Sequence, residues 1–146
     1  MTTETTTETI DPRIEALAKF LDCSVDEISE GCSTNRYEYG REEYLVLTDD
    51  EADNETAEII KESLWAFNAE FIASHTKHGL DDAQIDAIKE MQGRLCESAN
   101  SIVEALIEDL DYFIEDAIRA DGRGHFIASY DFEEVESGEY FIYRTF

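Results

Sequence analysis

The sequence predicts an α+β fold, in which helices and strands occupy separate stretches of the chain. Apolar residues recur every three or four positions through two long central stretches, the pattern of amphipathic helices. β-Prone residues instead cluster at 37–47 and again at 125–143. Segregated rather than alternating elements are typical of the α+β class. With 146 residues, 42% of them hydrophobic, the chain is long enough to bury a core.

The N-terminal part of the chain is predicted to contain a tail and a small helical hairpin. Residues 1–10 are mostly Thr and Glu, and we expect a disordered acidic tail. In residues 11–31, Asp11 is a good N-cap and is followed by Pro at the first helical position. Ser24 begins a second helical turn, which we expect to end at Gly31.

Residues 32–146 are predicted to form a single α+β domain on a small antiparallel sheet of three to four strands. A hairpin is expected over 37–47 with its turn at Gly40. Residues 125–130 and 140–143 supply the remaining β-prone segments.

Two long antiparallel helices are expected to pack on this sheet. The first follows Thr48, a good N-cap, and is predicted to end at Gly79. The second covers about 81–119, with a kink near Gly93, and the glycines that start at Gly122 break it.

The chain carries a large excess of negative charge. Asp and Glu total 36 against 11 Lys and Arg, for a formal net charge of −25. This charge repels phosphates and excludes direct electrostatic binding to DNA, RNA or anionic membranes. The apolar runs, such as 45–47, are too short for a membrane span, and the N-terminus does not resemble a signal peptide. The odd cysteine count (Cys23, Cys32, Cys96) fits a reducing cytoplasm, where we expect the protein.

The most informative stretch is 97–116, which contains seven acidic residues and no Lys or Arg. On a continuous helix, five of the acids lie within roughly 40° of one line. We call these five residues the acidic stripe: Glu97, Glu104, Glu108, Asp111 and Glu115. The apolar side chains of the same stretch are expected to form the opposite, core-facing side: Leu95, Ala99, Ile102, Leu106, Leu110, Phe113 and Ala117.

The spacing of the acidic stripe suggests DNA mimicry. Along a helix axis its carboxylates are separated by roughly 4.5 to 10 Å, comparable to the repeat of phosphates along a DNA strand. Such a surface suits a protein that grips phosphates with Lys and Arg. Four glutamates at helical spacing on the preceding helix would extend it: Glu51, Glu55, Glu58 and Glu62. The alternatives are a merely solvated face and adaptation to high salt, which the presence of only four lysines also suits.

Other candidate chemistry is weaker, and we predict neither an enzyme nor a metal or cofactor site. His75 and His78 precede Asp81 at a spacing that zinc could use, but histidines at a helix C-terminus are more simply explained by the helix dipole. A small enzyme centred on His125, with Tyr130 and Asp131, is the third alternative, although that segment has no nucleophile elbow.

Three segments resemble those of small acidic phage-encoded proteins of uncharacterised function. They are 44–53 (YLVLTDDEAD), 121–131 (DGRGH…SYD) and 140–144 (YFIYR). In that pattern Gly follows Tyr-Asp, whereas Phe132 stands here. The resemblance implies a phage or prophage origin and no particular chemistry.

Together, this origin and the charge predict an anti-defence protein, similar to DNA-mimic anti-CRISPR or antirestriction proteins. It would act stoichiometrically by occupying a basic nucleic-acid-binding surface of a host complex. The sequence leaves open the target and whether the chain forms a homodimer.

Overall fold

The computed structural model describes residues 11–146, so the predicted tail at 1–10 lies outside the described residues. The α+β class is confirmed. The chain divides into two compact units. Of the described residues, the sheet unit comprises 11–56 together with Arg123–Phe146, and the helical unit comprises Ala57–Gly122. The segment predicted as a separate hairpin, 11–31, lies in the sheet unit.

The sheet unit contains five antiparallel strands rather than the three to four predicted. In chain order they are β1 (Ile28–Glu30), β2 (Arg36–Tyr39), β3 (Glu42–Leu47), β4 (Val135–Ser137) and β5 (Tyr140–Arg144). Their order in the sheet is β1-β2-β3-β5-β4, and Val46 of β3 lies opposite Ile142 of β5. The predicted hairpin is confirmed, with Gly40 at its turn in the left-handed conformation that glycine favours (φ +61°).

The N-terminal helix and the helical turn that begins at Ser24 are confirmed, whereas the predicted extent of that turn to Gly31 is wrong. Helix α1 covers Pro12–Leu21 and is capped by the Asp11 carboxylate, which accepts a hydrogen bond from Arg13 N. After Ser24 there is only one 3₁₀ turn, and the chain then enters β1. Strand pairing places Ile28 in the core beside Leu17, and no local signal could show that long-range pairing.

The two long helices predicted after β3 are also wrong, because each is divided into shorter pieces. The helices are α2 (Asp49–Glu62), α3 (Ala69–Ser74), α4 (Asp82–Leu95), α5 (Asn100–Leu106) and α6 (Leu110–Asp121), with 3₁₀ turns at Leu64–Ala66 and Cys96–Ala99. Buried Leu64, Ile72, Val103 and Phe113 form part of the core of the helical unit.

Side-chain amides explain how the chain tolerates these breaks. The Asn100 side chain accepts a hydrogen bond from Trp65 N (3.0 Å) and donates one to Lys61 O (2.7 Å). The Gln92 amide donates to the carbonyls of Trp65 (2.8 Å) and Phe67 (2.6 Å). Backbone groups released by a helix break are thus satisfied by side chains.

The residues after α6 return the chain to the sheet unit. Gly122 (φ +86°) ends α6, as predicted, but the strand predicted at 125–130 is wrong, since Arg123–Ile127 form a short helix, α7. A Cβ on Gly124 would lie 2.8 Å from the carbonyl carbon of Glu133, so only glycine fits there. Phe132 has φ +61°, the conformation suited to the glycine of the resembling pattern.

Candidate protein-binding surface

The acidic stripe is not a straight row on one helix, because the chain breaks between Leu106 and Leu110. Glu97 lies in a 3₁₀ turn, Glu104 on α5, Glu108 in the linker, and Asp111 and Glu115 on α6. This corrects the continuous-helix geometry on which the predicted spacing rests.

The break has a specific cause in the tertiary structure. Ile107 has extended ψ (127°), and the Glu108 N–H donates to the carbonyl of His75 at 2.9 Å. Asp109 then starts α6 by accepting a hydrogen bond from Tyr112 N. A long-range bond to His75 replaces a helical one, and helical periodicity carries no information about it.

All five side chains of the acidic stripe are exposed. Within residues 11–146, none of them forms an ion pair. The helical unit as a whole contains fifteen acidic and five basic residues. The uncompensated carboxylates therefore generate a negative potential that attracts cationic groups.

The expected core-facing side of this stretch is only partly buried. Ala99, Phe113 and Ala117 are buried, as is the unpredicted Val103. Three of the predicted core residues are instead exposed: Leu95 (38%), Ile102 (42%) and Leu106 (36%). The 3₁₀ turn at Cys96–Ala99 and the break between α5 and α6 explain the difference, since one line of side chains cannot face the same core across both interruptions.

His75 has a structural environment that the sequence did not reveal. Its side chain is 3% exposed, and Nε2 lies 2.8 Å from Oδ2 of Asp116. Phe71, Tyr112 and Phe113 contact the ring at centroid distances of about 5 Å. The pair fixes α3 against α6 and does not include His78, the other histidine of the discounted zinc candidate, which is exposed.

The second predicted group of acids is divided among several environments. Glu51 binds Arg13 through both carboxylate oxygens (2.6 and 2.9 Å) and caps α2 by accepting from Thr48 N. These interactions hold the pKa of Glu51 below its usual range. Glu58 lies 3.6 Å from Lys61, Glu55 is half-buried, and Glu62 is exposed. Glu51 is therefore occupied within the fold.

Arg123 organises a cluster in the sheet unit that the sequence did not predict. Its guanidinium, 10% exposed, binds the carboxylates of Asp49 (2.8 Å), Asp53 (3.0 Å) and Glu134 (2.8 Å) and lies over the ring of Phe141. Hydrogen bonds that the Arg123 guanidinium donates to Glu134 and Asp49 raise its pKa against the effect of its burial. The segment 121–125 thus has a structural role.

Within residues 11–146, one group of side chains meets the geometry for a metal ion. It consists of Asp49, Asp50 and Asp53, all exposed at the start of α2. Arg123 already binds two of these carboxylates, so a cation of the fold compensates part of their charge.

His125, the centre of the enzyme alternative, is exposed and packs against the rings of Phe126 and Phe132. No hydrogen bond between described residues joins it to Tyr130 or Asp131. The Tyr130 ring instead lies under the Arg144 guanidinium at 3.6 Å.

No family model, curated protein or solved structure matches this chain. Among the helices of residues 11–146, none has the length and apolar character needed to cross a membrane.

Proposed function

We propose that this protein is a phage-encoded anti-defence inhibitor that acts stoichiometrically, in the host cytoplasm, as an acidic mimic of DNA. Its acidic stripe would occupy the basic nucleic-acid-binding surface of a host defence complex. The observation that carries the proposal is that all five stripe carboxylates are exposed and have no cation partner among the described residues. A surface built only for solubility would usually intersperse Lys with these acids.

The break between α5 and α6 refines the mimicry. DNA phosphates follow a curved path around the duplex, and a target lines that path with Lys and Arg. The stripe is divided over a 3₁₀ turn, two helices and a linker, so its charges are not confined to one straight helix. Charge attraction then gives fast association and a strong dependence on salt.

The test is capture from bacterial lysate by the tagged chain at low and raised salt, with mass spectrometry and DNA competition. We expect the tagged chain to capture a nucleic-acid-binding defence complex at low salt. Raised salt should abolish this capture, and added DNA should displace the complex. The decisive variant changes the four stripe glutamates to Gln and Asp111 to Asn, and it should lose capture.

A matched control neutralises five exposed acids of the sheet unit to Gln: Glu15, Glu30, Glu38, Glu136 and Glu139. It removes the same charge and should retain most of the capture. Equal loss in both variants would show that net charge, not the stripe, governs binding. Unchanged capture by the stripe variant would contradict the proposal.

A second candidate function is an interaction protein whose acidity serves solubility or high-salt adaptation. The exposure of Leu95, Ile102 and Leu106 favours it, because three large apolar side chains on one stretch provide contact area. Partner binding would then resist raised salt and be lost on changing Ile102 and Leu106 to Ser.

A further inference from the structure

A small cavity in the sheet unit combines aromatic walls with carboxylates. Its volume is about 110 Å³, and seven residues line it: Phe20, Tyr44, Asp131, Glu133, Val135, Ile142 and Arg144. This size suits a small head group with its adjoining methylenes rather than a large ligand. It belongs neither to the acidic stripe nor to the Arg123 cluster.

The aromatic wall is open to solvent on one side. Phe20 on α1 is 42% exposed, and its ring meets the Tyr44 ring in an edge-to-face arrangement with centroids 6.4 Å apart. Val135 and Ile142 complete the apolar part of the lining. The negative face of an aromatic ring attracts a cation, most strongly where the cation is partly desolvated.

The cations and acids at this cavity are not evenly matched. Arg144 lines the cavity and also has partners of its own, since its guanidinium carbon lies 3.6 Å from the Tyr130 ring centroid and its Nη2 3.9 Å from a Glu42 oxygen. The Tyr44 hydroxyl also donates to Glu42. Asp131 and Glu133, by contrast, form no ion pair within residues 11–146. The lining therefore carries two carboxylates against one guanidinium, and this net negative charge favours a further cation.

A turn fixes the positions of the two carboxylates. Asp131 accepts a hydrogen bond from Glu133 N (3.1 Å), and the left-handed Phe132 between them reverses the chain. The close approach of Gly124 to the backbone at Phe132 and Glu133 holds the turn in place. The acids are thus preorganised at the cavity.

We propose that this cavity binds a primary alkylammonium group, whether from a Lys side chain or from a free amine. The ammonium would lie between Asp131 and Glu133, with its methylenes against Phe20 and Tyr44. The inference does not rest on the proposed function, since its residues and its test involve only the sheet unit.

The experiment is NMR titration of the full chain with three probes of one size: n-butylammonium, n-butanol and butyrate. We expect n-butylammonium to shift the signals of Phe20, Tyr44, Val135 and Ile142, with butanol and butyrate causing little change. Equal shifts with butanol would show an apolar cavity without charge selection and overturn the proposal.

The decisive variant is D131N/E133Q, which keeps the side-chain oxygen used in the turn. Its matched control is E136Q/E139Q, which removes the same charge from exposed positions outside this cavity. The first should weaken n-butylammonium binding about fivefold or more, and the second less than about twofold. Equal weakening would assign binding to net charge and contradict the site.

A peptide pair distinguishes the two sources of the ammonium group. Acetyl-Gly-Lys-Gly-amide is compared with the same peptide carrying norleucine in place of Lys. Lys-dependent binding tighter than that of n-butylammonium supports a protein source, and binding of the amine alone supports a free amine. Failure of both probes would overturn the cavity proposal and leave the acidic stripe untouched.

Discussion

Seven described carboxylates of the sheet unit are joined to guanidinium or phenol groups, whereas the acidic stripe of the helical unit has no such partners among the described residues. Arg13, Arg36 and Arg123 bind acids of the sheet unit. The hydroxyls of three tyrosines also donate to carboxylates there: Tyr37 to Asp11, Tyr44 to Glu42 and Tyr143 to Glu134. In the helical unit, Lys89 binds Glu70 and Arg119 binds Asp116, but the stripe is left exposed. One acidic composition thus serves two purposes, internal cross-linking and an available charged surface.

The largest expected effect concerns the arginines of the two units. Arg123→Ala should destabilise the protein by about 3 kcal/mol, because it leaves three carboxylates without their cation; partial exposure of the acids limits the loss. Arg119→Ala removes one exposed ion pair and should cost less than about 1 kcal/mol. Urea unfolding measures the free energy of unfolding of both variants. Equal losses of stability would contradict the view that arginines cross-link the sheet unit more strongly than the helical unit.

The next effect compares two glycines. Gly124→Ala should cost about 2 kcal/mol, since the new Cβ meets backbone atoms that cannot move independently. Gly93→Ala, inside α4 with open space around it, should stabilise the protein by roughly 0.5 to 1 kcal/mol. Thermal unfolding, monitored by circular dichroism, tests whether the two substitutions change stability in opposite directions. A stable Gly124→Ala protein would refute the close approach.

Alkaline pH should act on the sheet unit through its buried phenols. Burial and the hydrogen bond to Asp11 raise the pKa of Tyr37 to about 12, and burial beside carboxylates also raises the pKa of Tyr44 and Tyr143. A raised pKa in the folded state stabilises the fold below the unfolded value of about 10. That stabilisation is lost as the pH rises through the folded pKa.

The measurement is the unfolding free energy between pH 9 and pH 12, with phenolate absorbance recorded in parallel. Tyr37→Phe should cost about 1 kcal/mol at neutral pH through the lost hydrogen bond and should lessen the decline above pH 10. A decline that is unchanged in this variant would exclude Tyr37 as its source.

The smallest expected effect is in the acidic stripe itself. Asp111 and Glu115 lie four residues apart on α6, where like charges repel. Glu115→Gln should therefore raise stability by a few tenths of a kcal/mol, and added salt should reduce the gain. Loss of stability on this change would show that Glu115 has a structural partner.

Local signals predicted the elements whose causes are local. The Asp11-Pro12 helix start, the Gly40 turn and the end of α6 at Gly122 each follow from one or two residues with special backbone or capping chemistry. Strand β1 and the helix breaks depend on distant partners, such as Tyr39 for Ile28 and Trp65 for Asn100. Periodicity within one segment cannot contain that information.

For the candidate sites, sequence was informative about composition and less so about geometry. It identified the five acids of the acidic stripe as exposed but could not show that Asp116 of the same run binds His75. It could not show that Glu51 is bound by Arg13, from which it is separated by 38 positions. Asp131 and Glu133 approach Phe20 only after the sheet is formed, so no motif in the sequence marks their cavity.

The order of strands in the sheet has a consequence for synthesis on the ribosome. Strand β5 lies between β3 and β4, and Thr145 binds Glu43 across a sequence separation of 102 residues. During translation, one edge of β3 therefore stays unpaired until the whole helical unit and then β5 have been synthesised. At about 5 to 20 residues per second this wait lasts several seconds or longer, a period in which a chaperone or a neighbouring nascent chain can reach that edge.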